Sequence, residues 1–148
     1  MGFKKDVKRR LRCLEDQQAI LDTLYAYAHA IDYGWRDVWL DVWTDDAELV
    51  WPHQTFRGHE EIGKAFDDHS HAPEAWHKHF AVEPRIVLHG DAATCDSYFT
   101  RINGTPEGPV LRSLGRYRDE LVRCPDGRWR IRKRVTERES LIPNAPTT

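Results

Sequence analysis

The chain has 148 residues, 40% hydrophobic and 31% charged, with a formal net charge of −2. Those values describe one globular domain with enough chain to bury a core, and they exclude a disordered or fibrous protein. A nearly balanced charge supplies no field for nucleic acid or an anionic membrane, so neither is an expected partner.

Residues 1–10 form a charged lead-in, either frayed or continuous with the helix that follows. That helix runs from about Leu11 to Asp32, with Gly34 as a C-terminal stop. Arg36 to Ala47 reads as a second short helix with Val38, Trp39, Val42 and Trp43 on its apolar face. Ala47 to His53 is a short strand, Gln54 to Gly58 a polar turn, and His59 to His71 a third helix with Ile62, Ala65 and Phe66 inward. After Pro73 the period changes from helix to strand. Trp76 to Gly90 is a long extended segment that Pro84 bends or bulges, and Gly90-Asp91 turns it into the strand Ala92 to Asn103. A loop at 103–109 leads to the strand Val110 to Cys124, and Pro125-Asp126-Gly127 turns into the last strand, Arg128 to Ser140. The domain spans 11–140, and 141–148 is a polar, proline-rich tail. Helices followed by a meander of strands make an α+β domain. A curved, mostly antiparallel sheet wrapped around the long first helix would enclose a cone-shaped pocket.

Cys13, Cys95 and Cys124 are scattered and odd in number, which argues against a disulfide framework or a zinc site and places the chain in a reducing compartment. The basic start, MGFKKDVKRRLRC, lacks the apolar run of a signal peptide, and no stretch is long enough to span a bilayer. A cytoplasmic protein is expected.

Within the first helix, Leu14, Leu21, Leu24, Ala28 and Ile31 recur at helical spacing. Asp32 falls in line with Leu14 and Leu21, which places a carboxylate on the side read as core-facing. An unpaired buried carboxylate costs several kcal/mol, so Asp32 needs a partner or a wet cavity. The six tryptophans suit the walls of an apolar pocket, although such residues also fill cores. His69 and His71, near Asp67 and Asp68, look like a metal cluster by composition, but their spacing suits a solvated surface better. In RWRIRKR, alternation puts Arg130, Arg132 and Arg134 on one face, read as the solvent side, and Asp119 and Arg123 read as surface charge.

Four segments occur in the order seen in SnoaL-like proteins of the nuclear transport factor 2-like superfamily: YAYAHAIDYGWRDVWLDVWTDDAEL, FRGHEEIGKAF, HFAVEPRIVLHGDAAT and GRYRDELVRCPDGRWRI. The resemblance covers roughly Asp16 to Arg138 and implies the α+β cone. It is similar in chemistry to the branch holding scytalone dehydratase, hexachlorocyclohexane dehydrochlorinase and bile acid 7α-dehydratase. There an Asp at the end of the first helix orients a general-base His on the first long strand. The matching residues are Asp32 and His79. His77 shares the strand face of His79, and the family register favours His79. Tyr27 matches a first-helix tyrosine. Arg101 stands where relatives carry Asp or His, which suggests an anionic or carbonyl-bearing substrate. Arg138 matches an arginine of the bile acid enzyme loosely.

The resemblance therefore implies a cofactor-free, metal-free lyase of dehydratase type acting on a hydrophobic cyclic or polyketide- or steroid-like molecule. Asp32, His79, Tyr27 and Arg101 would carry the chemistry, and Trp39, Trp43, Trp51, Phe66, Phe99 and Arg138 would wall the pocket. An isomerase or cyclase using the same base is the alternative, and a non-catalytic binding module like a dioxygenase β subunit is a third. A homodimer or homotrimer is implied. Taken singly, Asp32 is equally a cap or solvated helix end, His79 is more often structural, Arg101 fits a wet sheet edge and Tyr27 fits the core. The pair Asp32–His79 is what favours an enzyme.

Overall fold

The computed structural model describes residues 2–139. Its elements are α1 (Gly2–Tyr33), α2 (Arg36–Asp41), β1 (Trp43–Trp51), β2 (Gln54–Arg57), α3 (Gly58–Asp67), β3 (His77–His89), β4 (Ala92–Thr105), β5 (Gly108–Arg123) and β6 (Trp129–Arg138). The tail 141–148 lies outside the described residues. The strands form one curved sheet in the order β2-β1-β6-β5-β4-β3, with β1 parallel to β6 and every other pair antiparallel. The α+β arrangement expected from the sequence is the one observed.

The helix α1 continues through the charged lead-in instead of fraying there. It carries two apolar stripes. Ile20, Leu24, Tyr27 and Ile31 recur at 3.6-residue spacing and are buried against the sheet. Leu14 and Tyr25, on a different face, are 64% and 44% exposed. The single stripe read from the sequence mixed residues of both, because periodicity locates apolar faces without saying which one the sheet covers. Asp32, 3% exposed, is nevertheless buried. Gly34, at φ +75°, ends the helix by the left-handed turn that glycine adopts without strain, and its N–H bonds the Ala30 carbonyl at 2.9 Å.

The second helix stops at Asp41, earlier than expected, and Trp43 opens β1. Trp39 donates its indole N–H to the Ile62 carbonyl at 3.2 Å, which ties α2 to α3. The bend expected at Pro84 is a bulge: Val82 pairs with Tyr98 and Arg85 with Asp96, while Glu83 takes φ 52°. Strand pairing consumes most of the expected 103–109 loop, because Thr105 faces Gly108 directly.

A second bulge corrects the reading of the basic last strand. Glu120 pairs with Lys133 but Leu121 pairs with Ile131, so Arg132 is the extra residue. The strand phase flips there, and Ile131 and Arg134 both face inward. Arg134 therefore lies in the core, bidentate to Asp119 at 2.7 and 2.8 Å with both side chains at 0% exposure. Arg130 is half-buried against Asp41 and Asp126, and Arg132 alone of the three stays exposed. Arg123 is not a free surface charge either. It grips Asp16 at 2.6 and 2.8 Å, and Trp129 donates to the same carboxylate at 3.1 Å, pinning the middle of α1 to the far end of β5 and β6.

Candidate active site

The end of α1 and the start of β3 meet around one carboxylate. Asp32 sits in the last turn of α1, and His77 and His79, two residues apart on β3, turn to the same side. Their Nδ1 atoms lie 2.8 and 2.6 Å from Asp32 Oδ1, and the backbone N–H of His79 donates to Asp32 Oδ2 at 3.0 Å. Burial alone would raise the Asp32 pKa. The hydrogen bonds from His77 and His79, together with the charge interaction with His79, overcome it and hold the carboxyl well below its usual range. Asp32 is thus an ionised acceptor with three donors.

The two histidines differ in what their other nitrogen meets. His77 is locked: Nε2 faces the Ser70 carbonyl at 2.7 Å, and the ring does not line the cavity. His79 lines the cavity, and among the described residues nothing hydrogen-bonds its Nε2. With the proton on Nδ1, where Asp32 accepts it, the Nε2 lone pair is open to a ligand. Burial pushes the His79 pKa down, against the pull of Asp32, and the Arg101 and His77 charges add to the lowering. That lowering favours the neutral ring, the form a base must hold before it acts.

The cavity encloses about 590 Å³ counting its open mouth. Tyr27, Trp51, Phe99 and Tyr117 supply aromatic walls, Arg101 and Arg138 supply cations, and no carboxylate of the described residues lines it. Arg101 is buried rather than at a wet edge, with Nε donating to Asn103 Oδ1 at 3.0 Å, and its burial lowers its pKa. Tyr27 reaches the cavity as well as the core, and burial raises its phenol pKa. Thr136 lines the cavity, and among the described residues its buried hydroxyl has no hydrogen-bond partner. Asp32, His77 and His79 offer one ligand atom each within 4.8 Å of one another. Both rings, however, aim Nδ1 at a single carboxylate oxygen, which is the pattern of donors on a shared acceptor.

The structure brings His79, Tyr27, Arg101, Trp51, Phe99 and Arg138 to one cavity, with Asp32 directly behind His79. It does not bring Trp39, Trp43 or Phe66 there. Those three are 0%, 0% and 3% exposed and stack on one another and on Tyr27 behind the wall. Sequence patterning cannot tell a wall from the layer beneath it, since both are apolar.

His69 was read as surface and is a correction. Its ring lies 5.0 Å from His77, 5.5 Å from His79 and 6.2 Å from Trp51, and it lines the cavity. Burial, with the nearby His79 charge, pushes its pKa down to about 3. His71 is internal too, with its ring nitrogens on the Ile31 and Phe66 carbonyls at 2.6 and 3.0 Å. A signal was present in the sequence: four of the eight histidines fall within residues 69–79.

No curated protein matches the chain. Among solved structures, a nuclear transport factor 2-like protein with a cystatin-like fold from Novosphingobium aromaticivorans superposes with a TM-score of 0.83 at 22% identity, covering 94% of this chain and 92% of that one. A provisional aromatic ring hydroxylase from the same organism gives 0.71 at 28% identity, covering 88% and 92%. A provisional scytalone dehydratase, again from that organism, gives 0.73 at 17% identity, covering 86% of each. Residues 12–135 match the SnoaL-like domain family, and the chain belongs to that family.

Proposed function

We propose that the protein is a lyase of dehydratase type in which His79, oriented by Asp32, removes a proton from carbon next to a carbonyl. The observation that carries this reading is the 2.6 Å contact of His79 Nδ1 with Asp32, with the opposite edge of the same ring on the cavity. The Nε2 lone pair takes the proton, and the C–H electrons move into the carbonyl as an enolate. Arg101, in a cavity lined by no carboxylate of the described residues, stabilises the oxygen that gains charge. The enolate electrons then form the carbon–carbon double bond as the hydroxyl on the next carbon leaves. His79 returns its proton to that hydroxyl, so water departs and the ring is neutral again. Asp32 stabilises the imidazolium between the two transfers.

The substrate class follows from the lining. Flat aromatic walls and two arginines suit a planar, oxygenated ring system bearing carbonyl or anionic groups. An isomerase or cyclase would begin with the same proton abstraction. The test is a panel of aromatic β-hydroxyketones in deuterated water. Loss of water with growth of the enone absorbance supports the proposal, whereas carbon-bound deuterium without loss of water identifies an isomerase. His79→Ala and Asp32→Asn are each expected to lower kcat by about a hundred- to ten-thousand-fold. Near-native turnover in either variant would rule out the dyad.

A further inference from the structure

The second apolar stripe of α1 has no partner among the described residues. Val7, Leu11, Leu14, Leu21 and Tyr25, with Gln18 among them, follow one another in alternating steps of four and three residues. That is the seam of a two-helix coiled coil, not the 3.6-residue pattern of a helix lying on a sheet. Val7, Leu11, Leu14 and Tyr25 are 43%, 53%, 64% and 44% exposed, and Leu21 is half-buried. The stripe faces away from Ile20, Leu24, Tyr27 and Ile31, which hold the helix to the sheet. Over residues 2–15 almost every side chain is exposed, so roughly 20 Å of helix projects beyond the body. A helix of that length is marginal in water by itself, and apolar contact along a seam is what stabilises it.

We infer that the occupant of this seam is α1 of a second copy of the chain, running antiparallel. The charges select both the partner and its direction. Residues 4–12 carry Lys4, Lys5, Lys8, Arg9, Arg10 and Arg12 against a single acid, Asp6, while the next turns carry Glu15 and Asp22 on the flank of the seam. Parallel pairing would set the six cations beside their own copies. Antiparallel pairing lays each basic half along the acidic turns of the other helix. With Leu11 packed on Leu14 of the second copy, Lys8 flanks Glu15 of the second copy, twice over by symmetry. In that register Gln18, whose amide donates to Asp22 of its own helix at 2.9 Å, lies opposite Val7 of the second copy. The outer face of the sheet is a separate surface, and this pairing leaves it free.

The test is solution mass by light scattering and sedimentation on the full chain, with circular dichroism to verify the fold. Leu11→Glu combined with Leu14→Glu places like charges in the seam and is expected to halve the assembly mass while leaving the core signal intact, since both side chains are exposed. Lys8→Glu or Glu15→Lys alone is expected to weaken association by roughly threefold to tenfold, and the two together to restore it. A wild-type monomer at high micromolar concentration, or an unchanged mass in the Leu11/Leu14 variant, overturns the inference. Failure of the charge swap to rescue overturns the antiparallel register. None of these readouts involves turnover, so they stand apart from the dyad proposal.

Discussion

Two buried carboxylates, Asp119 and Asp32, are partnered differently by the protein. Asp119 is sealed. It has one fixed cation, Arg134, whose guanidinium lies between the Tyr27 and Tyr117 rings at 4.2 and 3.9 Å, and neither member of the pair touches solvent. Burial acts to lower the Arg134 pKa, but Asp119 outweighs it and holds the cation charged. Asp32 faces two imidazoles instead, one of which borders the cavity. An arginine keeps its charge at any physiological pH, and an imidazole can gain or lose a proton there. The first pair thus shapes the cavity wall from behind, and the second leaves one proton movable at the cavity surface.

The largest expected effect comes from breaking the sealed pair. Arg134→Met leaves Asp119 buried without a cation and should cost about 3–5 kcal/mol in urea unfolding. Adding Asp119→Leu should return most of that loss, since a buried ion pair is replaceable by apolar groups of similar size. A small loss for Arg134→Met alone would mean that Asp119 finds water or another donor.

Asp32→Asn should cost less, about 1–3 kcal/mol, because an amide oxygen in place of Oδ1 still accepts from both rings, while the charge and the acceptor for the His79 backbone N–H are lost. If it destabilised as much as Arg134→Met, the Asp32 cluster would be as structural as the Asp119 pair, and the contrast would fail.

A smaller effect concerns acid. His69 is held neutral in the folded chain, with its pKa at about 3, whereas the unfolded chain binds a proton at about 6.5. Between those values the unfolded state holds more protons, so stability falls as pH drops from about 6.5 toward 3. The Asp32 carboxyl, held low by its donors, adds its own loss only below the ordinary carboxylate range. His69→Gln should flatten the upper part of that slope, as measured by urea midpoints across pH. An unchanged slope would place His69 in contact with solvent.

Much of this molecule is legible in its residues. The α+β order, the helix stop at Gly34 and the bulge near Pro84 follow from local pattern, because glycine, proline and the switch from a 3.6- to a two-residue period act on the backbone directly. Asp32 announced itself as a carboxylate on an apolar helix. The family resemblance then supplied His79, which lines the cavity where His77 does not. The charges were misread where the reason is three-dimensional. One extra residue, Arg132, reverses the phase of β6 and carries Arg134 from the expected solvent face into the core. Asp119 and Arg123 were likewise assigned to the surface because no local signal marks a residue whose partner lies far away in sequence. Similarly, sequence alone merged two apolar faces of α1 into one stripe and offered a set of tryptophans. Only the packing of the sheet decided which face is covered, which aromatic rings wall the cavity, and that His69 looks into it.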